Sequence, residues 1–273
     1  LSQLKRPEKL IWYGQGDSPV ALMRSSWTDP NAIFVGFKAG AANVNHAHMD
    51  VGSFVLDALG ERWAMDFGAQ SYHSLESRGI QLWGRQQNSQ RWQIFRYNNR
   101  VHNTLTIDDS LHRVAGYAKI DAVAETPEFL AAVSDLSKVF EGQAQAVKRG
   151  IALANQKEVW VRDEVTAPGK AIQLRWTMLT EAQVKLLDDK TVELSKNGKK
   201  MYLIFQSEGS IKLKTWSTDP PNDYDAPNPG TTLVGFEANV PAGKTQAFNV
   251  VFSTDKNANP NKQSLAKWPV KKL

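Results

Sequence analysis

The 273-residue sequence predicts an all-β fold: a large antiparallel β-sandwich with one long Arg- and Trp-rich loop carrying short helical turns. Three observations predict it. Short runs that alternate, or are rich in β-branched and aromatic residues, recur along nearly the whole chain. Turn formers separate them, as at Asp29-Pro30-Asn31, Ala167-Pro168-Gly169, Lys196-Asn197-Gly198 and Pro241-Ala242-Gly243. The chain is 41% hydrophobic and 22% charged, which suits a buried core and not a disordered chain.

Taken in order, the strand-like runs are 20–27, 32–37, 53–59 and 62–67, then 103–107, 129–133, 146–154, 158–165, 172–179, 201–205, 233–240 and 246–253. Between the fourth and fifth, residues 72–99 are rich in Gln, Arg, Ser and Trp and show no period of two. This stretch reads as a long loop with one or two helical turns, and loops of that length in folded domains are commonly functional. Trp83 and Trp92 argue against disorder; they could offer flat faces for a ligand to stack on, but packing beneath the loop is the expected place for both. Residues 218–229, dense in Pro, Asp and Asn, read as a surface excursion. No internal repeat is present. The expectation is one sandwich domain over residues 1–273.

Composition removes several function classes. With no cysteine there is no disulfide scaffold, no thiolate metal site and no thiol nucleophile. No run approaches the roughly 18 apolar residues of a membrane span. Residues 1–9 are too charged for a signal peptide. The chain opens on Leu1, not Met, so a processed chain or a piece of a longer one is expected. Lys and Arg number 33 against 28 Asp and Glu, a formal charge of +5 that mildly favours an acidic partner. They are spread along the chain without a nucleic-acid-binding module.

The chemistry centres on Asn45-His46-Ala47-His48-Met49-Asp50. In a strand, His46 and His48 would face the same side. Asp66 ends the apolar run Trp63-Ala64-Met65, an unusual place for a carboxylate. His102 stands in Val101-His102-Asn103-Thr104-Leu105. Two imidazoles and a carboxylate with an open fourth position would suit Zn²⁺. The same histidines could instead satisfy buried backbone groups or lie on a wet surface. His73 and His112 match no motif and read as surface residues. A cupin pattern is only partly met. Gly40 and the His-x-His are correctly spaced, but Gly52 or Ser53 stands where the motif requires Glu.

A fuller pattern runs His46-Ala47-His48-Met49-Asp50-Val51-Gly52-Ser53-Phe54-Val55-Leu56, Gly60, Asp66-Phe67-Gly68, then Asn99-Arg100-Val101-His102-Asn103-Thr104-Leu105. Three blocks in this order, over about residues 32–110, resemble the heparinase II/III-like polysaccharide lyases. The resemblance implies the C-terminal β-sandwich of an enzyme whose N-terminal half is an α/α toroid. That toroid is the expected partner domain and supplies the catalytic Tyr. The resemblance also implies a structural Zn²⁺ on His48, Asp66 and His102. It places His46 at the substrate cleft, serving β-elimination of a uronic-acid-containing acidic polysaccharide (glycosaminoglycan or alginate-like), with Asn45 beside it. Tyr72 and Arg78 are candidates for a cationic substrate groove, as are Arg96 and Tyr97. The implied setting is secreted or periplasmic in a bacterium. The alternatives are a non-catalytic carbohydrate-binding sandwich or a metal-dependent, cupin-like enzyme.

The strand reading conflicts with that metal site. If Gly60-Glu61 is the hairpin turn, Asp66 lies opposite Val55, and His48 is seven residues further along, roughly 23 Å at about 3.3 Å per residue. One metal can then be shared only if the chain bends near Asp50-Val51-Gly52, where glycine makes a sharp bend easy.

Overall fold

The structure is a computed structural model that describes residues 7–259 and 262–273; most of the charged opening run, residues 1–6, lies outside the described residues. Its first five strands are β1 (Ile11–Gly14), β2 (Val20–Arg24), β3 (Phe34–Lys38), β4 (Phe54–Ala58) and β5 (Glu61–Ala64). They form a five-stranded meander in chain order. Each strand pairs with its sequence neighbour, the commonest arrangement for consecutive strands, although the connections range from the two-residue turn between β4 and β5 to the long 39–53 loop between β3 and β4. A single-turn helix α1 (Tyr72–Glu76) and three 3-10 turns (Gln90–Gln93, Phe95–Tyr97, Asn99–Val101) then cross residues 72–101, an irregular stretch as expected but with more helical turns than the one or two anticipated.

The remaining strands are β6 (Leu105–Ile107), β7 (Ala122–Thr126), β8 (Phe129–Asp135), β9 (Ala146–Ala154), β10 (Glu158–Thr166), β11 (Ile172–Thr180) and β12 (Gln183–Leu186). After them come β13 (Thr191–Lys196), β14 (Lys199–Ser207), β15 (Ile211–Trp216), β16 (Thr232–Val240), β17 (Thr245–Ser253) and β18 (Lys271–Lys272). They build a nine-stranded sheet, β12-β13-β14-β17-β10-β9-β8-β7-β18, and a four-stranded sheet, β15-β16-β11-β6. A backbone bridge between Met65, just after β5, and Leu179, in the part of β11 that the short β6 leaves unpaired, joins the five- and four-stranded sheets, so together they make one layer. Aromatic pairs fasten that layer to the nine-stranded one: Phe54 on Phe252 at 5.7 Å, Trp176 on Phe205 at 6.1 Å and Phe236 on Phe248 at 5.3 Å. One apolar core runs through all three sheets. The result is the antiparallel sandwich that the alternation predicted. The described sheets are open and form no barrel, which removes the cupin-like reading.

Two local expectations change. The β4–β5 turn is Leu59-Gly60, one residue earlier than expected. Both residues have positive φ (58° and 73°), the mirror-image turn whose twist suits a hairpin. A bulge between Leu56 and Asp57 then shifts the register, and β5 ends at Ala64. Asp66 therefore does not pair with Val55. It follows Met65, whose backbone has crossed to β11.

The second change is at the His-x-His. No strand runs through residues 41–53. Gly52 has φ +85°, its N–H donates to Lys38 O at 2.8 Å, and the Ser53 N–H turns back to Asp50 O at 3.0 Å. The chain bends where the metal geometry required it. Without a strand, His46 and His48 do not share a face: His46 is exposed and His48 is 7% exposed.

Candidate functional site

The bend at Gly52 brings His48 back over the start of the 102–104 segment. Its ring lies 5.6 Å from the His102 ring, centroid to centroid, and His102 Nδ1 is 2.7 Å from Asp66 Oδ2. The three residues predicted as ligands are thus gathered from three separate segments. Burial pushes the His48 imidazole down to about 4, helped by the neighbouring His102, so it is neutral near neutral pH. Burial also opposes charge on His102, but the Asp66 carboxylate and its hydrogen bond prevail and raise it. The same contact holds Asp66 below the usual carboxylate range, against the effect of its own burial.

These residues fit a zinc ion in type and in unused bonding capacity. His102 Nε2 is buried without a hydrogen-bond partner, an expensive condition for a ring nitrogen. The His48 ring nitrogens make no hydrogen bond to any described residue. Two imidazoles and a carboxylate form a recognised zinc donor set. Among the described residues, however, no three such groups already surround a common point; Asp66 and His102 are closed on each other.

A set of buried side chains holds these loops in place. Asn103 donates from Nδ2 to Phe54 O and Met65 O, while its Oδ1 accepts the Leu179 N–H. Arg91, 4% exposed, grips Ala47 O with both Nε and Nη2, and its Nη1 reaches Leu82 O. The carbonyl between the two histidines is thereby fixed. Arg149 on β9 pairs with Asp163 on β10 and sends Nη1 across the sandwich to Gly52 O (2.7 Å) and Asn103 O (2.9 Å). Sequence reasoning missed all three. Nothing in the sequence separates Arg91 from the exposed Arg85, or Asn103 from any other strand-flanking Asn.

His46 faces outward. Its backbone is left-handed (φ 59°), uncommon for a non-glycine residue and a frequent mark of functional positions. Its Nδ1 is 2.9 Å from the Tyr72 hydroxyl, with the two rings nearly parallel. The predicted Asn45 stands beside it, exposed, and its Oδ1 accepts from Arg85 Nη2 at 3.2 Å. Trp83, expected beneath the loop, is instead 51% exposed and packs near-perpendicular to both His46 and Tyr72. Trp92 is buried as expected.

The other groove candidates lie elsewhere. Tyr97 is fully buried: its ring stacks on His48 at 4.3 Å and its hydroxyl donates to Gln70 O. It backs the His48–Asp66–His102 cluster and cannot line a groove. Arg78 is exposed but bound to Asp223, and Arg96 donates to Asn228 Oδ1 and Pro227 O. Both guanidiniums fasten the 72–99 loop to the 218–229 excursion, where Asp225 also accepts the Phe95 N–H. His73 is exposed as expected. His112 is not: it is fully buried against Phe140, with Nε2 bonded to Leu105 O.

The comparisons with known proteins agree with this architecture. Heparan sulfate lyase HepC from Pedobacter heparinus superposes with a TM-score of 0.72 at 17% identity, covering 94% of this chain and 39% of that one. Heparinase III superposes with a TM-score of 0.65 at 16% identity, covering 86% of this chain and 35% of that one. The chain therefore spans about two-fifths of the length of these lyases, and at such identity the likeness concerns the fold. No curated protein matches the sequence. The family model described as heparinase II/III-like, C-terminal, matches residues 17–257, and the chain belongs to that family.

Proposed function

We propose that this chain is the sandwich portion of a bacterial polysaccharide lyase. Its substrate would be an acidic, uronic-acid-containing polysaccharide (a glycosaminoglycan or an alginate-like chain), cut by β-elimination. The observation that carries this reading is His46. An outward imidazole held in a left-handed conformation and bonded to Tyr72 sits two residues from a buried, ligand-rich cluster.

In β-elimination the C5 proton of the uronate is removed and the O4 substituent leaves. A weak carbon acid needs a positioned proton acceptor and a proton donor for the leaving group. His46 and Tyr72 share one hydrogen bond, so a proton can reside on either Nδ1 or the phenol oxygen. His46 Nε2 has no partner among the described residues. The pair can orient substrate and hold or pass one proton at the cleft. Asn45 offers a hydrogen-bonding amide beside it. In this reading Zn²⁺ would be held by His48, Asp66 and His102 and would brace the loops that present His46. An N-terminal α/α toroid would complete the cleft and bring the catalytic Tyr and the group that neutralises the uronate. A polymer substrate of this kind implies a secreted or periplasmic enzyme. The segments described contain no helix long and apolar enough to cross a membrane.

The test is to incubate the full-length protein with heparan-type and alginate-type polymers and follow ultraviolet absorbance. Growth of the unsaturated-uronate band supports elimination. New reducing ends without that band mean hydrolysis and overturn the proposal. Binding without cleavage supports a non-catalytic carbohydrate-binding sandwich instead.

A further inference from the structure

Trp83 is the most exposed aromatic beside the candidate site, and folding does not account for its position. Its indole is 51% exposed, although residues 72–99 bury Leu75, Ile80, Leu82, Ile94 and Tyr97 in one cluster and Trp92 in another. It is nevertheless held. Its Nε1 donates to Glu76 Oε1 at 2.8 Å, and its ring packs near-perpendicular to Tyr72 at 5.1 Å and His46 at 5.6 Å. An oriented indole kept in water makes a preformed apolar wall, the usual lining of a ligand site. Two residues on, the exposed Arg85 guanidinium bonds Asn45 and has no carboxylate partner among the described residues.

We propose that Trp83 is a sugar-stacking residue: its indole takes the apolar face of a pyranose ring next to the one at His46, and Arg85 pairs with an anionic substituent of the bound chain. A pyranose presents C–H groups on one face and hydroxyls at its edge. It therefore suits an aromatic plane flanked by hydrogen-bonding and cationic groups. This assignment rests on the acidic-polysaccharide reading above and adds a subsite to it. The subsite itself takes no part in metal binding or proton transfer, although Trp83 packs against His46 and Tyr72.

The test is calorimetric titration of this chain with a uronate–hexosamine tetrasaccharide, alongside neutral chitotetraose. The variants are Trp83→Ala, Trp83→Phe and Arg85→Ala. Trp83 is half in solvent, so thermal melting should show all three folded like the parent. The proposal expects Trp83→Ala to weaken the acidic tetrasaccharide at least tenfold and Trp83→Phe to recover part of that loss. Arg85→Ala should narrow the preference for the acidic over the neutral probe. If the parent binds the acidic probe and Trp83→Ala binds it within twofold, the stacking role is overturned and the substrate reading stands. If the parent chain binds no acidic probe, the titration is repeated on the full-length protein, and no binding there at millimolar concentration means that the substrate reading fails and the subsite goes with it.

Discussion

His46 and His48 are two residues apart and have different environments, so the same substitution should act differently at each. His48 is buried, neutral, stacked on Tyr97 and tilted toward His102, whereas His46 stands in solvent hydrogen-bonded only to Tyr72. In the full-length protein, His46→Ala should cut turnover at least a hundredfold, the usual scale for a positioned proton-transfer group, and leave zinc content unchanged. His48→Ala should lose zinc and lower the melting temperature together. Elemental analysis beside melting curves reads both, and equal zinc loss in the two variants would show that the roles are not divided this way. His112 supports a prediction about pH. Burial pushes its imidazole down to about 3, so it stays neutral in the fold while the unfolded chain takes up a proton below about 6.5. Stability should therefore fall as pH drops through that window, by up to about 1.4 kcal/mol per pH unit. In chelator-treated protein, His112→Asn should be weaker at pH 7 yet show a shallower loss between pH 6.5 and 5 in urea titrations. Parallel slopes would refute the assignment. The candidate ligands could be singled out from the sequence, because His-x-His, Asp-Phe-Gly and the His102 block are local patterns. The burial of His112 was not, since it depends on Phe140 and Leu105, which chain order alone does not bring to it.

At the scale of elements, the site depends on a loop that must not become a strand. The Gly52 turn converts what would be an extended His-x-His segment into a bend, and its positive φ is one that L side chains adopt only with strain. A Cβ there would also meet Leu136 Cδ1 at 2.8 Å and Thr104 Oγ1 at 3.1 Å. Gly52→Ala should cost about 1–3 kcal/mol, visible as a lower urea midpoint, and should weaken metal retention because the loop carries His48. A variant as stable as the parent would mean that the turn relaxes freely. The need for this bend was legible from strand arithmetic alone, and so was the irregular 72–99 stretch. The outward placement of Trp83 was not, nor was the use of Arg78 and Arg96 as fasteners. A long side chain can serve a core, a groove or a neighbouring loop; the position of residues 218–229 decides for the two arginines, and Glu76, Tyr72 and His46 decide for Trp83.

For the whole molecule, the question is how a sandwich transmits rigidity to a site at its surface. Arg149 and Asp163 form a fully buried cross-strand pair in the nine-stranded sheet, and the remaining guanidinium nitrogen spans the core to Gly52 O and Asn103 O in the opposite layer. Those carbonyls belong to the two segments that carry His48 and His102. An apolar bridge could fill the same volume, but it could not satisfy two inward-pointing carbonyls. The pair should therefore contribute to stability and to site geometry separably. Arg149→Met alone strands the Asp163 carboxylate and should cost about 3–5 kcal/mol. The double variant Arg149→Met with Asp163→Leu removes the stranded charge and should recover much of that loss, as apolar replacements of buried ion pairs often do. Zinc affinity should not recover with it, because Gly52 O and Asn103 O still lack a donor and the ligand loops lose their common anchor. Urea unfolding and competition with a colorimetric chelator, run on the parent and the single and double variants, separate the two quantities. A double variant that regains both stability and parent-like zinc affinity would reduce Arg149 to a packing element. One that regains stability alone would place the origin of the site's geometry across the sandwich core, in the sheet that carries none of the three candidate ligands.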